Sequence, residues 1–310
     1  MQRNSTPRPY LLLQVMILMF AFSGILGKYI QTPATAITVY RTAITFVVLG
    51  AYMYWKGMRF GVGAKDTVLL LLSGGVVGMQ WALAFMAIKQ ANVSVAMTML
   101  ATGALFASFL EPIFYHRRLR IHEVLLGAVA IGGIYIIYST QSNADFRSGI
   151  LIALGSSFLS ACYSIINGKW AAKMPDRSVT VIFYEMIGAV VVVSLVFSAV
   201  ETGFAAGFAQ VRWQDAAGIF ILAVACTAYT NVSMVRILRY VSPFTLMLNM
   251  NLLPVYSMVL AVVIYPDTES MPLVFYIGAA VIISTVLLNT VLNDRRQKRP
   301  DGLKDDTPSV

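Results

Sequence analysis

A chain of 310 residues that is 58% hydrophobic and only 12% charged lacks the charged surface of a soluble protein, in which about a quarter of residues are charged. Its net charge of +9 does not mark a nucleic-acid binder, because the basic residues sit at the ends of apolar runs and not on one face of a domain. The mean hydropathy of +0.74 comes from non-alternating runs of about 20 residues, each able to cross a ~30 Å hydrocarbon core as a helix, which also excludes a β-barrel.

In chain order the predicted runs are 10–30, 36–55, 68–88, 92–116, 121–138, 148–170, 178–200, 214–236, 242–265 and 272–292. The first, from Tyr10, has no small-residue cleavage site followed by a soluble domain and is read as a retained helix. With residues 1–9 placed in the cytoplasm, the inner segments hold 18 of the 23 Lys and Arg residues. The outer loops hold four, Lys28, Lys89, Arg147 and Arg212, and Arg41 lies inside the second run. This asymmetry predicts an even number of crossings, with both termini on the cytoplasmic side of an inner (plasma) membrane. The tail 293–310 is charged, contains proline and is predicted to be disordered. Cys162 and Cys226 fall far apart in apolar runs, so neither a disulfide framework nor a metal site is expected.

The runs repeat. Gly27-Lys28 opens GKYIQTPATAITVYR and Gly168-Lys169 opens GKWAAKMPDRSVTVIFYE. Tyr40-Arg41 answers to Tyr184-Glu185 at an offset of 144, and Gly127 to Gly278 at 151. Five helices per copy is an odd number, so the copies must cross in opposite senses. The predicted fold is all-α integral membrane, ten transmembrane helices as two inverted five-helix repeats, 10–138 and 148–292. In transporters of this plan the solute sits near mid-membrane between the halves.

The candidate pathway residues follow the same order. Arg41 lies several residues inside the second run, where a charge faces a bundle interior or a water-filled cavity; the alternative is snorkelling to a neighbouring helix end. Trp81 and Gln80 sit midway along the third helix, away from the interfacial belts, and could wall a cavity or fill a helix interface. Lys89 ends that helix. Glu111, just before Pro112, could take a proton at a kinked helix, but an ion pair with Arg117, Arg118 or Arg120 is the preferred reading. Ser156, Ser160, Tyr163 and Asn167 form a polar stripe on the sixth helix, and Ser94, Thr98 and Thr102 one on the fourth. Of these, Tyr163 and Asn167 are large enough to touch a solute. Glu185, inside the seventh run, is the repeat counterpart of Arg41. The topology puts the two near opposite mouths of a pathway and argues against a direct pair. Asn249 and Asn251 precede Pro254, where a broken helix could expose carbonyls. No phosphate-binding loop, zinc pair or nucleophile elbow is present, so catalysis and cofactors are not expected and transport should run on gradients.

With these motifs in view, residues 10–292 resemble the drug/metabolite transporter superfamily in its EamA-type branch. The resemblance is carried by AIKQANVSVAMTMLATGALFASFLEPIFYHRR (87–118), SIINGKW (164–170) and CTAYTNVSMVRILRYVSPFTLMLNMNLLPVYSMVLAVVIYPDTESM (226–271). It implies a central cavity between the halves and export of amino acids or other small metabolites. Where relatives read Asn-Leu-Glu-Pro, this chain has Asn251-Leu252-Leu253-Pro254, and Pro266-Asp267-Thr268-Glu269 replaces Gly-Glu-x-Glu. The missing carboxylate at Leu253 argues against a proton-coupling role there. The expected partners are a small-molecule substrate, protons as a candidate coupling ion, the lipid bilayer and a second copy in a homodimer, with no nucleic acid. The competing readings are a drug or nucleotide-sugar carrier, and a non-transporting scaffold or lipid-handling protein.

Overall fold

The computed structural model describes residues 7–115, 121–139, 143–174, 176–209, 211–237 and 249–297. Among them every element is a helix. The first half holds α1 (Pro7–Tyr29), α2 (Ala34–Trp55), α3 (Ala64–Gln90), α4 (Val93–Ala101), α5 (Gly103–Tyr115) and α6 (Ile121–Ser139). The second holds α7 (Ala144–Lys173), α8 (Ser178–Val200), α9 (Phe204–Ala209), α10 (Trp213–Ala223), α11 (Thr230–Ile237), α12 (Leu253–Ile264), α13 (Pro266–Glu269) and α14 (Leu273–Gln297). With α4–α5 and α10–α11 each counted as one span, nine segments among the described residues are long and apolar enough to cross a membrane. The remaining predicted run, 242–265, begins outside the described residues, and its described part, 249–265, contains the 12-residue α12.

Large apolar side chains face outward, as a lipid solvent allows, and the polar side chains within the spans turn inward among an apolar core. Leu11, Ile131, Leu195 and Val263 are 66, 67, 66 and 72% exposed, while Thr38, Thr42, Ser94, Thr98 and Ser156 are buried. Lipid tails are as apolar as leucine, so association rests on close packing and interhelical hydrogen bonds rather than on escape from water. The closest packing is the α3–α8 crossing. A Cβ built on Gly74 would overlap the Glu185 carbonyl, and one built on Gly188 would overlap the Leu71 carbonyl. Gly78 faces Ala189 in the same seam. The Gly74-x-x-x-Gly78 spacing lets the two backbones touch. Gly133 of α6 and Gly278 of α14 make a looser version, each Cβ position lying about 3 Å from the other's carbonyl oxygen.

The inverted repeat is visible in paired contacts. Tyr40 on α2 donates its hydroxyl to the Phe208 carbonyl, just beyond α8, at 3.1 Å. Its repeat counterpart Tyr184 on α8 donates to the Phe60 carbonyl, just beyond α2, at 3.3 Å. The two helices therefore run in opposite senses, each tied near its start to the segment following the other's end.

One local expectation is corrected and one break in a helix was not expected. The last helix does not stop at 292 but continues through Gln297. Residues 293–297 contain no glycine or proline, and arginines near a helix C-terminus suit its dipole. Residues 298–310 of the predicted disordered tail lie outside the described residues. The fourth span continues through Pro112, which lies inside α5, and is interrupted earlier, at Thr102, between α4 and α5. The Thr102 hydroxyl donates to the Met99 carbonyl there at 2.7 Å.

Candidate functional site

Arg41 and Glu185 are the eighth residues of α2 and α8, each about 10 Å along its helix from the start. Because the helices are antiparallel, the two charges enter the bundle from opposite faces, and they do not pair. Arg41 is 4% exposed. Its Nε donates to Thr227 Oγ1 at 2.7 Å. Its guanidinium carbon lies 4.2 Å from the centre of the Trp81 ring and 5.6 Å from that of Phe85. Thr227 belongs to a π-helical turn, Val224–Tyr229, that joins α10 to α11. Such a turn disrupts the regular i→i−4 ladder and is frequent at functional sites. Side chains take up the carbonyls. Thr227 Oγ1 donates to Leu222 at 2.8 Å, Thr45 to Ala223 at 3.1 Å and Asn231 to Thr227 at 2.7 Å.

Glu185 is fully buried. One oxygen accepts from Ser73 Oγ at 2.7 Å and the other from the Tyr163 hydroxyl at 2.9 Å. The Tyr163 oxygen accepts in turn from Asn167 Nδ2 at 2.9 Å. No cation lies within ion-pair distance of Glu185 among the described residues. The two clusters follow one design. In each, a charge on the second helix of one repeat meets a hydroxyl on the third helix of the other: Arg41 with Thr227, Glu185 with Ser73.

A family model, EamA-like transporter family, matches residues 8–139 and 147–291. The chain belongs to the EamA-like transporter family. As such it is a membrane transporter of the drug/metabolite transporter type. No curated protein matches the chain. A crystal structure described only as that of a protein is 17% identical, covers 95% of this chain and all of its own, and superposes with a TM-score of 0.61, which shows a shared fold.

On this EamA-like scaffold the structure joins Arg41 with Trp81, and Tyr163 and Asn167 with Glu185. It keeps the other predicted residues apart from both groups. Lys89 Nζ donates to the Ile30 carbonyl at 2.7 Å. Asn249 Oδ1 accepts from Gln14 at 2.6 Å, and Asn251 donates to Thr290 at 2.9 Å. The turn before α12 does fall at Asn251 and Leu252. Gln80 and Ser156 bond each other across α3 and α7 at 3.3 Å. Glu111 sits on α5, and the arginines predicted to pair with it, Arg117, Arg118 and Arg120, lie outside the described residues. A cavity of 370 Å³ between α3, α5 and α7 is lined by none of the predicted pathway residues. Its wall includes Ser73, the partner of Glu185, and it reaches Lys169 and Lys173 near the end of α7.

Sequence reasoning missed three features. Glu269 is fully buried and caps the N-terminus of α4, accepting from the Val93 and Ser94 amides at 3.0 and 2.9 Å and from Ser94 Oγ at 2.8 Å. Lys28 pairs with it at 2.6 Å. Asp215 accepts from the Gln31 amide and the Thr32 hydroxyl in the α1–α2 turn and pairs with Arg212 at 2.9 Å. The third is the glycine seam of α3 and α8, for which the Gly74–Gly78 spacing was the available signal.

Proposed function

We propose that this EamA-like protein is a secondary transporter that exports a small metabolite of the amino-acid class by alternating access, coupled to protons at Glu185, with both termini on the cytoplasmic side of the inner membrane. The observation that carries the reading is the matched pair of buried charges, Arg41 and Glu185, at equivalent positions of the two repeats and at opposite depths, neither of them in an ion pair among the described residues. Intramembrane charges mark substrate and ion pathways, and inverted repeats place such sites for alternating exposure. The distribution of Lys and Arg supports the orientation. The Ser73 hydroxyl can donate to an ionised Glu185 or accept from a protonated one, so gain or loss of a proton breaks no ion pair. The cavity beside Ser73 supports a route from the face that bears Lys169 and Lys173. Catalysis has no part in this reading.

Comparison of the medium of an overexpressing strain with that of a deletion strain identifies the solute. In proteoliposomes, Glu185→Gln is expected to slow solute movement driven by a pH gradient at least tenfold while leaving solute–solute exchange without a gradient. Glu111→Gln is expected to keep the pH dependence of the wild type. Gradient-driven transport by Glu185→Gln at the wild-type rate would remove the coupling role.

A further inference from the structure

We propose that Arg41 is the docking group for a carboxylate on the transported solute. This rests on the transport reading above and adds the residue that holds the solute and the group it recognises. A guanidinium carries five N–H donors and no acceptor. At Arg41 only Nε meets a hydrogen-bond acceptor, Thr227 Oγ1. Among the described residues no carboxylate pairs with Arg41, and neither terminal amino group has a hydrogen-bond partner. These nitrogens are not sealed in. Among the described residues the wholly enclosed side-chain atoms without a partner are Glu201 Oε2 and Ser257 Oγ, so the Arg41 amino groups keep a small accessible surface although the residue is 4% exposed.

Neighbouring cations make the contrast. Lys28 has Glu269, Arg212 has Asp215 and Lys89 has the Ile30 carbonyl. Arg41 instead has the faces of Trp81 and Phe85. An aromatic face attracts a cation and fixes the plane of the guanidinium but leaves its N–H edge unused. The edge carrying both terminal amino groups is the fork that receives a carboxylate with two parallel hydrogen bonds. The charge count selects a carboxylate over a phosphate dianion. One guanidinium balances one negative charge, and the nearest other cation on the adjoining helix, Lys89, is held on a backbone carbonyl. The π turn fits the same role. By breaking the regular ladder it gives Thr227 a hydroxyl that accepts from Arg41 and donates to Leu222, which leaves the arginine oriented but without a counter-charge. Trp81 and Phe85 then offer an apolar wall to the rest of the solute.

The test uses the full chain in detergent and in proteoliposomes, with benzoate, lactate, leucine and phenylalanine as probes beside the carboxamides of each and the decarboxylated amines of the two amino acids. Thermal stabilisation by one or more acids, with no stabilisation by the matched amide or amine, is expected. Arg41→Gln should weaken acid binding at least about 30-fold, the effect of removing one partner of a buried hydrogen-bonded charge pair. Arg41→Lys should weaken it about tenfold while keeping acid over amide, since a point charge replaces the fork. Equal stabilisation by acids and amides, none by any acid, or full acid binding by Arg41→Gln would each overturn the proposal. The acid–amide comparison is made on the wild type, so it stands even where a variant fails to fold. Exchange in proteoliposomes separates the two levels. Acids that bind at Arg41 but never cross would overturn transport and leave the docking role. Acids and amides that cross alike would leave transport and overturn the docking role.

Discussion

Gly188→Val is expected to abolish recovery of folded, monodisperse protein, and Gly188→Ala to lower its thermal stability measurably. The cause is the α3–α8 crossing. A side chain at Gly188 would meet the Leu71 backbone, with the Leu71 Cα only 2.7 Å from the new Cβ. Ordinary contact begins near 3.4 Å, so the helices must part along the seam, and backbone cannot rotate away as a side chain can. Overpacking of a tight core by added methyl groups costs about 1–3 kcal/mol. Here the cost is compounded, because separating the helices also strains the Ser73–Glu185 bond, one residue from Gly74 on α3 and three from Gly188 on α8. Gly132→Ala on α6 is the control, since a Cβ there meets nothing within 4 Å, and it should be neutral or slightly stabilising through helix propensity. Size-exclusion profiles and melting curves of the three variants decide the matter. A Gly188→Val protein that elutes and melts like the wild type would mean that the two backbones are not in contact.

The helical membrane fold was legible in the sequence because each span must carry its own apolar run and each loop its own charge bias. The repeat was legible for a similar reason: Tyr40-Arg41 and Tyr184-Glu185 occupy equivalent positions. Their antiparallel helices keep the two charges apart, as the topology argument required. What the two charges touch was not legible. Arg41 meets Thr227 across the two repeats, and nothing local in VACTAY announces a π turn; the turn is favoured because Thr45, Asn231 and Arg41 reach it from elsewhere in the fold or from the next turn. Hydroxyl stripes left two readings open, a cavity wall or interhelical hydrogen bonds, and on the fourth span the contacts follow the second. Ser94, Thr98 and Thr102 share a helical face, yet Ser94 serves Glu269, Thr98 returns to its own helix and Thr102 meets Ser157. A small hydroxyl reads the same in sequence whether it lines a path or closes a contact. Glu269 was hidden for the opposite reason. It looks like an ordinary loop acid until the chain folds it under α4.

Glu269→Ala is expected to lower stability by about 3 kcal/mol, the low end of the range for breaking a buried ion pair by removing one partner. The low end applies because the Lys28 side chain is 21% exposed and recovers part of its hydration. The carboxylate has two tasks. It answers Lys28, and it takes the first two amides of α4, which otherwise have no intrahelical acceptor; Asn92 Oδ1 supplies a third cap, on Val95. Glu269→Gln separates the tasks. It keeps an acceptor near α4 but loses the charge that favours both Lys28 and the helix N-terminus, so its loss should be roughly half as large. Lys28→Met should fall near Glu269→Gln, and the double variant Lys28→Met/Glu269→Gln should lose less than the two single losses added together, because one interaction cannot be lost twice. Melting or denaturant curves of the four proteins in one detergent measure the cycle. The same contact ties the end of α1 to the start of α4 and to the α12–α14 connection, all at the face that also carries the Arg212–Asp215 pair. The alternating-access cycle proposed above requires this face to loosen in the other state, so Glu269→Gln should also raise the reactivity of a cysteine placed at Val93, now 0% exposed, towards a membrane-impermeant thiol reagent. Strict additivity in the cycle together with an unreactive cysteine would show that Lys28 and Glu269 neither couple nor hold that face closed.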